Sequence, residues 1–241
     1  MAVSIDSRAL DLFDSPPAVV IGATWANGLG LLRSLGQAGV PVLVLDPKPH
    51  AIGRYSRYAT AALVCPDAGE KEAEFLDFMD LLGERLRHPG VIFLTRDQDV
   101  STVSRNQSRL ERGFLIPFAD WEVLSQIVDK QGQYAVAQDV GVPLPVTRFP
   151  RSEEDAAECA RSVPYPAILK PAYHVKFSER FGVKGFVAND AAEALAHYKR
   201  GVTQGYQMMI QEIIPGGEHR LYTYGSYLNR DHVPLAEFTG R

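Results

Sequence analysis

The residues that could do chemistry are concentrated in the second half of the chain, where lysines fall inside predicted strands. Lys170 follows an apolar Ala-Ile-Leu run and immediately precedes a proline, and Lys184 lies in a strand predicted over residues 181–187. A lysine in a buried strand must contact an anion or lower its pKa, because the charged form is costly to desolvate. Phosphate is a natural partner, so Lys170 indicates a candidate phosphate site.

The elements around these lysines follow from the same stretch of sequence. A helical stretch is predicted over residues 121–141 and carries Lys130. A second helix begins with Ser152 as its N-cap and has acidic residues in its first turn, which suits the helix dipole. A later apolar strand breaks at a Pro-Gly-Gly segment and resumes into a hairpin around residues 229–231.

The strongest signal in the first half is VVIGATWANGLG, residues 19–30. A buried strand ends at Gly22, the Asn27-Gly28 pair is predicted to form a turn, and a helix follows. The next strand ends at Asp46, where dinucleotide-binding folds place a carboxylate against the ribose. These elements form a βαβ unit.

The glycines of this segment depart from the dinucleotide-binding pattern. Gly22, Gly28 and Gly30 have the spacing G-x5-G-x-G, whereas close approach to a pyrophosphate requires GxGxxG. Trp25 also places a bulky side chain where that loop needs small ones. Two interpretations stay open, an NAD or FAD site and a purely structural βαβ turn.

Two further units extend the predicted parallel sheet, with strands over residues 61–65 and 91–95. A Thr-Arg-Asp segment follows the second of these strands, at the edge where open α/β sheets bind ligands. The alternative is that it only starts a helix, with Asp97 or Ser101 as N-cap. Residues 54–58, Arg-Tyr-Ser-Arg-Tyr, are predicted to form a solvated surface.

Composition excludes several classes of protein. The net charge of −4 gives no basic surface of the kind that nucleic acids require, so no nucleic-acid partner is expected. The two cysteines are far apart and predict neither a disulfide framework nor a zinc site. The sequence has no apolar run that could span a bilayer and no signal-peptide pattern, so a cytoplasmic protein without membrane contact is expected.

The order of these elements resembles the ATP-grasp superfamily, and specifically its carboxylate-amine ligases. The matching motifs are ANGLG in the first turn, Asp-Lys on the linker helix, the ILKP strand, the loop leading to FGVKGF, and the QEIIPGGE hinge. They extend over essentially the whole chain, and their combination is more specific than any one of them. The resemblance implies an α/β protein in which a Rossmann-like pre-ATP-grasp domain with a parallel sheet precedes an α+β ATP-grasp subdomain.

The resemblance also implies the division of the chain into domains. The expected boundaries are 1–118 for the pre-ATP-grasp domain, 119–141 for a linker helix, 142–215 for the small ATP-grasp subdomain and 216–241 for the start of the large subdomain. No late acidic strand with a Glu-x-Asn pair follows, so the magnesium ligands are expected beyond Arg241 and the chain is interpreted as a fragment of a longer enzyme.

The resemblance implies a set of residues for the phosphates and the substrate. Lys130 and Lys170 would hold the α- and β-phosphates of ATP, which suits point charges on flexible stems. Lys184 would add charge from the phosphate-covering loop. Arg220 and Arg241 are candidates for gripping the substrate carboxylate or the γ-phosphate.

A second set is implied for the adenine and the ribose. The hinge strand would present backbone groups, and the Gln211 amide, to the adenine edge; its residues are Gln211, Glu212, Ile213 and Ile214. Glu218 would accept hydrogen bonds from the ribose hydroxyls. The adenine would lie between two sheets, against apolar side chains such as Ile168 and Ile214.

The phosphate-covering loop departs from the family pattern. Such loops are usually rich in adjacent glycines, whose amides approach phosphates, but here Gly182 and Gly185 are separated by a valine and a lysine. Basic side chains would then supply charge in place of amides; the candidates are His174, Lys176, Arg180 and Lys184.

The implied activity is an ATP-dependent ligation. A small-molecule carboxylate would attack the γ-phosphate of ATP, and an amine would capture the resulting acylphosphate to form an amide-like bond. The alternatives are an NAD(P)-dependent oxidoreductase built on the first βαβ unit and a non-catalytic nucleotide-binding module. The identity of the substrates and the oligomeric state are left open, and the sequence contains no GxSxG or HExxH motif.

Overall fold

The computed structural model describes residue 5, residues 7–172 and residues 177–241. The chain divides into two compact units, Met1–Gln133 and Tyr134–Arg241. Each unit has its own sheet and its own buried core. In the described part of the chain, helices long and apolar enough to cross a membrane are absent.

The first unit is built on a parallel sheet. Its five strands are β1 (Ala18–Ile21), β2 (Val42–Asp46), β3 (Ala61–Val64), β4 (Gly90–Leu94) and β5 (Phe114–Leu115). Their order across the sheet is β3-β2-β1-β4-β5, so the chain starts in the middle, winds outward to β3 and then crosses to β4. This is the parallel α/β arrangement that the sequence predicts.

Helices surround this sheet. They are α1 (Ser7–Leu10), α2 (Ala26–Gln37), α3 (Glu72–Arg85), α4 (Asp97–Arg105), α5 (Gln107–Leu110) and α6 (Trp121–Val128), with a 3-10 helix at Ile52–Tyr55. Alternate residues of β1 enter two separate cores: Val19 and Ile21 pack in the core that includes α3, whereas Ala18 and Val20 pack in the core that includes Leu32 of α2. Burial of both faces explains why the strands are continuous apolar runs.

The end of β1 and the first turn of α2 lie in close contact. Gly22 has a φ of 85°, in the left-handed region that favours glycine. Gly28 lies in the first turn of α2, so the turn predicted at Asn27-Gly28 is wrong. In that first turn the Asn27 side chain accepts from the Gly28 amide and donates to the Thr95 carbonyl, which ties the start of the helix to the end of β4.

The helical stretch predicted over residues 121–141 is two helices, α6 and α7 (Lys130–Asp139). Asp129 is extended between them, with φ −86° and ψ 133°, and its carboxylate accepts from the Gly132 amide at 3.0 Å. A Cβ at Gly132 would lie 2.7 Å from the Gln126 carbonyl oxygen, so the two helices approach too closely for a side chain there. Lys130 therefore begins a helix.

The second unit contains a four-stranded antiparallel sheet with helices on one face. The strands are β6 (Thr147–Arg148), β7 (Ala167–Pro171), β8 (Phe186–Ala188) and β9 (Met208–Glu212), in the order β6-β9-β7-β8. The covering helices are α8 (Glu153–Arg161) and α10 (Ala191–Val202), whose apolar residues share one core with the strands. Ser152 caps α8 by accepting from the Asp155 amide, which confirms the predicted N-cap.

The strand predicted over residues 181–187 is wrong in its first half. A short helix, α9 (Phe177–Phe181), is followed by Gly182 with a φ of 72°, and β8 begins only at Phe186. Lys184 consequently lies in an exposed loop rather than in a strand. Rings of Phe177, Phe181 and Phe186 pack on one another at 4.7–5.3 Å, which holds α9 against β8.

The chain after β9 forms a separate two-stranded sheet. A 3-10 helix at Glu218–Arg220 precedes β10 (Thr223–Leu228) and β11 (Pro234–Gly240), which pair in an antiparallel hairpin. The Asn229 side chain accepts from the amides of Asp231 and Val233 and closes the turn. The hairpin predicted around residues 229–231 is confirmed.

Replacing Gly28 by alanine tests whether this glycine is required because a side chain would not fit. A Cβ at Gly28 would lie 2.4 Å from the carbonyl oxygen of Gly22, a backbone atom that cannot rotate away. We expect Gly28→Ala to lower the free energy of unfolding by about 1–3 kcal/mol.

Gly30 in the same helix is the matched control, because a Cβ there meets nothing within 4 Å. Gly30→Ala should stabilise the protein by about 0.5–1 kcal/mol through helix propensity. Urea unfolding of both variants measures the difference, and equal changes at the two positions would contradict the close contact.

Candidate functional site

Strand β7 divides its side chains between the two faces of the second sheet. Ala167 and Leu169 are fully buried in the core shared with α8 and α10. Ile168 and Lys170 are only partly buried and, because successive strand residues alternate, they lie on the opposite face. The lysine that the sequence singled out is therefore on the face away from these helices.

The neighbouring strand contributes to the same face. The register pairs Lys170 with Met209 and Ile168 with Gln211. We call the surface formed by Ile168, Lys170, Met209 and Gln211 the lysine face. Met209 is completely buried and Gln211 is 6% exposed, so this surface is far from being an open sheet face in contact with water.

Lys170 is a cation in a partly desolvated position. Burial lowers its pKa below the ordinary lysine value. Among the residues that the structure describes, Lys170 forms no ion pair with a carboxylate. An ammonium held in this way favours an anionic ligand, since a ligand charge would offset the desolvation.

Gln211 has a structural role that the sequence analysis missed. Its amide nitrogen donates to the Tyr134 hydroxyl and, at 2.8 Å, to the Thr147 hydroxyl. Both amide hydrogens are thereby used, because a glutamine side chain has two. The amide links α7 and β6 to β9 and is not available to donate to an adenine edge in this state. Tyr134 and Thr147 lie 77 and 64 residues from Gln211, a separation at which no local sequence pattern connects them.

Two backbone amides of the hinge that follows Gln211 already donate hydrogen bonds within the second unit. The amide of Glu212 donates to the Val146 carbonyl and that of Ile213 to the Pro166 carbonyl, each at 2.9 Å. The register pairs Glu212 with Ala167, which places its side chain on the face covered by helices. Ile214 is beyond the strand and 61% exposed.

The remaining predicted residues lie in different parts of the two units. Lys130 is partly buried at the start of α7 in the first unit; Arg220 and Arg241 are exposed in the second, as is Lys184. Glu218 begins a 3-10 helix, but its side chain lies outside the described part of the structure, and so do His174 and Lys176. The roles of all these residues stay predictions.

The carboxyl edge of the first sheet is held together by Asp46. This buried carboxylate accepts from the Ala23 amide at 2.7 Å, from the Thr24 hydroxyl and from the Lys48 amide. It fixes the loop after β1 to the end of β2. The oxygen atoms that would contact a ribose in a dinucleotide site are therefore engaged by the protein itself.

Arg96 occupies the same edge, after β4. It donates to both carboxylate oxygens of the buried Asp99 and, at 2.9 Å, to Asp67. Arg96 is itself the N-cap residue of α4, without a side-chain cap in the described structure, whereas Asp97 lies in the first turn and Ser101 inside the helix. The prediction that Asp97 or Ser101 is the N-cap is therefore wrong.

Replacing Lys170 by methionine should stabilise the protein when no ligand is present. The pKa of Lys170 in the folded state is below its unfolded value, so the charged lysine destabilises the folded protein. This cost is fully present at neutral pH and is lost as pH rises toward 10.5, the ordinary lysine value. We expect Lys170→Met to raise the Tm at pH 7 by about 2–4 °C for each ~1 kcal/mol of desolvation cost that the substitution removes. The difference should shrink at alkaline pH.

Lys184→Met, at an exposed lysine, is the control and should leave the Tm nearly unchanged. Identical Tm values for the wild-type protein and Lys170→Met across the pH range would show that Lys170 is not held in a desolvated position.

Removing the Gln211 amide should cost more stability than removing one of its partners. Gln211→Leu leaves two hydroxyls without a donor and should lower the free energy of unfolding by about 1–3 kcal/mol. Tyr134→Phe deletes one hydrogen bond and should cost about 0.5–1.5 kcal/mol. Urea denaturation compares them, and a neutral Gln211→Leu would disprove the structural role of this amide.

Comparison with known proteins provides independent information on the fold. No family model matches this sequence. A D-aspartate ligase from Enterococcus faecium is 26% identical over 219 residues, which is 86% of this chain and 52% of that protein. The chain therefore spans about half the length of the curated relative that it matches.

Solved structures show the same relation. The L-amino acid ligase of Bacillus licheniformis matches with a TM-score of 0.67 at 12% identity, over 92% of this chain and 50% of that one. The N5-carboxyaminoimidazole synthetase of Staphylococcus aureus, solved with ADP, matches with a TM-score of 0.60 at 15% identity, over 83% and 47%. The predicted resemblance is confirmed: the chain has the fold of the ATP-grasp carboxylate-amine ligases, over about half of their length.

Proposed function

We propose that this protein is an ATP-dependent ligase that joins a small-molecule carboxylate to an amine. The observation that carries the proposal is the partly buried Lys170 on the lysine face of a sheet with the ATP-grasp fold. The D-aspartate ligase and the L-amino acid ligase among its relatives support the same reaction class. Aspartate and other amino acids are accordingly the first carboxylates to test.

The nucleotide is assigned to the lysine face. Lys170 would hold a phosphate there, and the ADP complex of a solved relative supports a nucleotide ligand. Lys130 keeps its predicted role as a second phosphate-binding lysine. The exposed Lys184 would contribute charge from its loop. The apolar Ile168 beside Lys170, and Ile214 after β9, would contact the adenine.

The hinge is assigned a narrower role than the sequence suggested. The amides of Glu212 and Ile213 and the side chain of Gln211 are bonded within the sheet. Backbone carbonyls of the hinge and the chain from Ile214 onward are the groups left for adenine recognition. Glu218 keeps its proposed role as the ribose acceptor.

The chemistry requires cations rather than a covalent nucleophile. The substrate carboxylate attacks the γ-phosphorus and ADP leaves, and the amine then displaces phosphate from the acylphosphate. Positioning and charge stabilisation account for most of the acceleration in such phosphoryl transfers. Arg220 and Arg241 are proposed to hold the substrate carboxylate or the γ-phosphate.

Magnesium has no evident ligand set here. Among the described residues, groups of three or more His, Cys, Asp or Glu side chains that could hold a metal ion are absent. We therefore assign no step to a metal ion through the residues of this chain.

The oxidoreductase alternative is not favoured. It would need Asp46 for a ribose, but that carboxylate holds the loop after β1. A nucleotide-binding module without catalysis is the second candidate, because the described residues include no group of three or more His, Cys, Asp or Glu side chains that could hold a metal ion. Nucleotide binding without phosphate release in the presence of carboxylates and amines would favour it.

The proposal predicts selective stabilisation by adenine nucleotides. At about 100 times its Kd, ATP should add ~2.7 kcal/mol of stability, which corresponds to a Tm increase of roughly 5–10 °C. NAD should produce no shift. Lys170→Met should abolish the ATP-induced shift, because it removes the phosphate contact.

Lys71→Met is the control for this experiment. Lys71 is an exposed lysine of the first unit that pairs with Glu74, so its loss should leave the ATP shift intact. A shift with NAD alone, or an undiminished ATP shift in Lys170→Met, would overturn the nucleotide assignment.

A further inference from the structure

A cavity of about 570 Å³ lies on the first unit, between α2 and the segment that follows β2. Leu29, Arg33 and Gln37 form one side of it, and their spacing of four residues places them on one stripe of α2. The segment from Ile52 to Tyr58 forms the other side. A volume of this size is within the range of small-molecule sites, roughly 300–1,000 Å³.

The two ends of the Ile52–Tyr58 segment are fixed by glycine contacts. At one end, the Gly53 amide donates to the Ala23 carbonyl at 2.9 Å, and a Cβ at Gly53 would lie 2.4 Å from the Ala23 Cβ. At the other end, Tyr58 lies on Gly36 of α2, where an added Cβ would be 2.6 Å from the Tyr58 Cβ. The cavity lies between two points of close packing, so its walls are already in position before a ligand binds.

The charge of the lining has one sign. Arg33 and Arg57 contribute guanidinium groups, and the described residues that line the cavity include no acidic one, although the chain as a whole is acidic. Arg57 donates to the Tyr58 hydroxyl at 2.7 Å. This bond, with Gln37 and Arg33 contributing, lowers the pKa of Tyr58, so the cluster favours negative charge at this position.

The same cavity offers apolar and aromatic surface. Tyr55 is 72% exposed and Ile52 is 49% exposed, and both line it beside Leu29. An exposed ring next to a guanidinium suits a flat ligand, because the ring can stack on it while the cation binds a charged group. The solvated surface predicted for residues 54–58 is therefore one wall of a concave site.

We propose that this cavity binds a small organic anion, a carboxylate or phosphate attached to a flat apolar group. Arg33 and Arg57 hold the anionic group, Gln37 donates to it, and Tyr55 with Ile52 contacts the apolar part. All of these residues belong to the first unit and none is in the proposed nucleotide site. The proposal is therefore independent of the proposed function, and either can fail without the other.

The test is an NMR titration of the full chain with phenyl phosphate and with benzoate. Saturable shifts of the amides of Arg33, Gln37 and Tyr55–Tyr58, with a roughly millimolar Kd for at least one probe, support the proposal. The tighter of the two probes identifies phosphate or carboxylate as the preferred anion. Shifts that do not saturate, or that map outside the cavity, overturn it.

Two further probes separate the parts of the ligand. Inorganic phosphate has the charge without the ring, and benzyl alcohol has the ring without the charge. Each should bind at least about tenfold more weakly than the better anion. Equal binding by either one would show that the site does not recognise both features.

Variants locate the site. Arg33→Gln changes an exposed residue of α2 and should weaken the binding of phenyl phosphate about tenfold. Tyr55→Ala should weaken it while sparing inorganic phosphate. Arg151→Gln, at an exposed arginine of the second unit, is the matched control and should change nothing. Equal loss in Arg33→Gln and Arg151→Gln would reduce the effect to general charge and defeat the proposal.

Discussion

An ammonium group on a sheet face that is largely shielded from water is the constraint around which the second unit is organised. Transfer of a charge from water to such a position is unfavourable unless a counter-charge is present. Lys170 has no such partner among the described carboxylates, and burial lowers its pKa. A ligand that supplies the missing charge would offset this cost, which is the physical argument for the phosphate proposed at Lys170.

The rest of the second unit explains how that lysine is held. Helices α8 and α10 cover one face of the sheet, so alternation along β7 forces Lys170 to the other face. Gln211 fixes the neighbouring strand to α7 and β6 through two hydroxyls. The Gln211 amide, which was expected to contact a nucleotide, is thus used to hold together the sheet on which the nucleotide would lie. The proposed recognition of adenine through the hinge would use backbone carbonyls and the chain after β9.

In the first unit, too, polar side chains near a possible ligand site are bonded within the protein. Asp46 and Arg96, at the edge where such sheets bind ligands, are saturated by protein partners and stabilise the loops there. Concave, cationic surface is found instead beside α2, where two glycines bring the following segment close. The two candidate surfaces differ in chemistry: the lysine face has a partly desolvated lysine, whereas the cavity beside α2 has exposed arginines with aromatic surface.

Much of the architecture was determined by the sequence alone. Continuous apolar runs separated by amphipathic helices specify a parallel sheet because both of its faces are buried, and the apolar run before Lys170 predicts the strand that carries this lysine. The Ser152 cap and the hairpin turn are also local, since their hydrogen bonds join residues only a few positions apart.

Other features were decided by tertiary contacts. The helical position of Gly28 depends on its close approach to the Gly22 carbonyl, and β8 begins late because a cluster of phenylalanine rings holds α9 in front of it. The partners of Gln211 and Asp46 come from distant parts of the chain. A sequence pattern reports which side chains must leave water, whereas the identity of the groups that meet them is fixed only when the chain has folded.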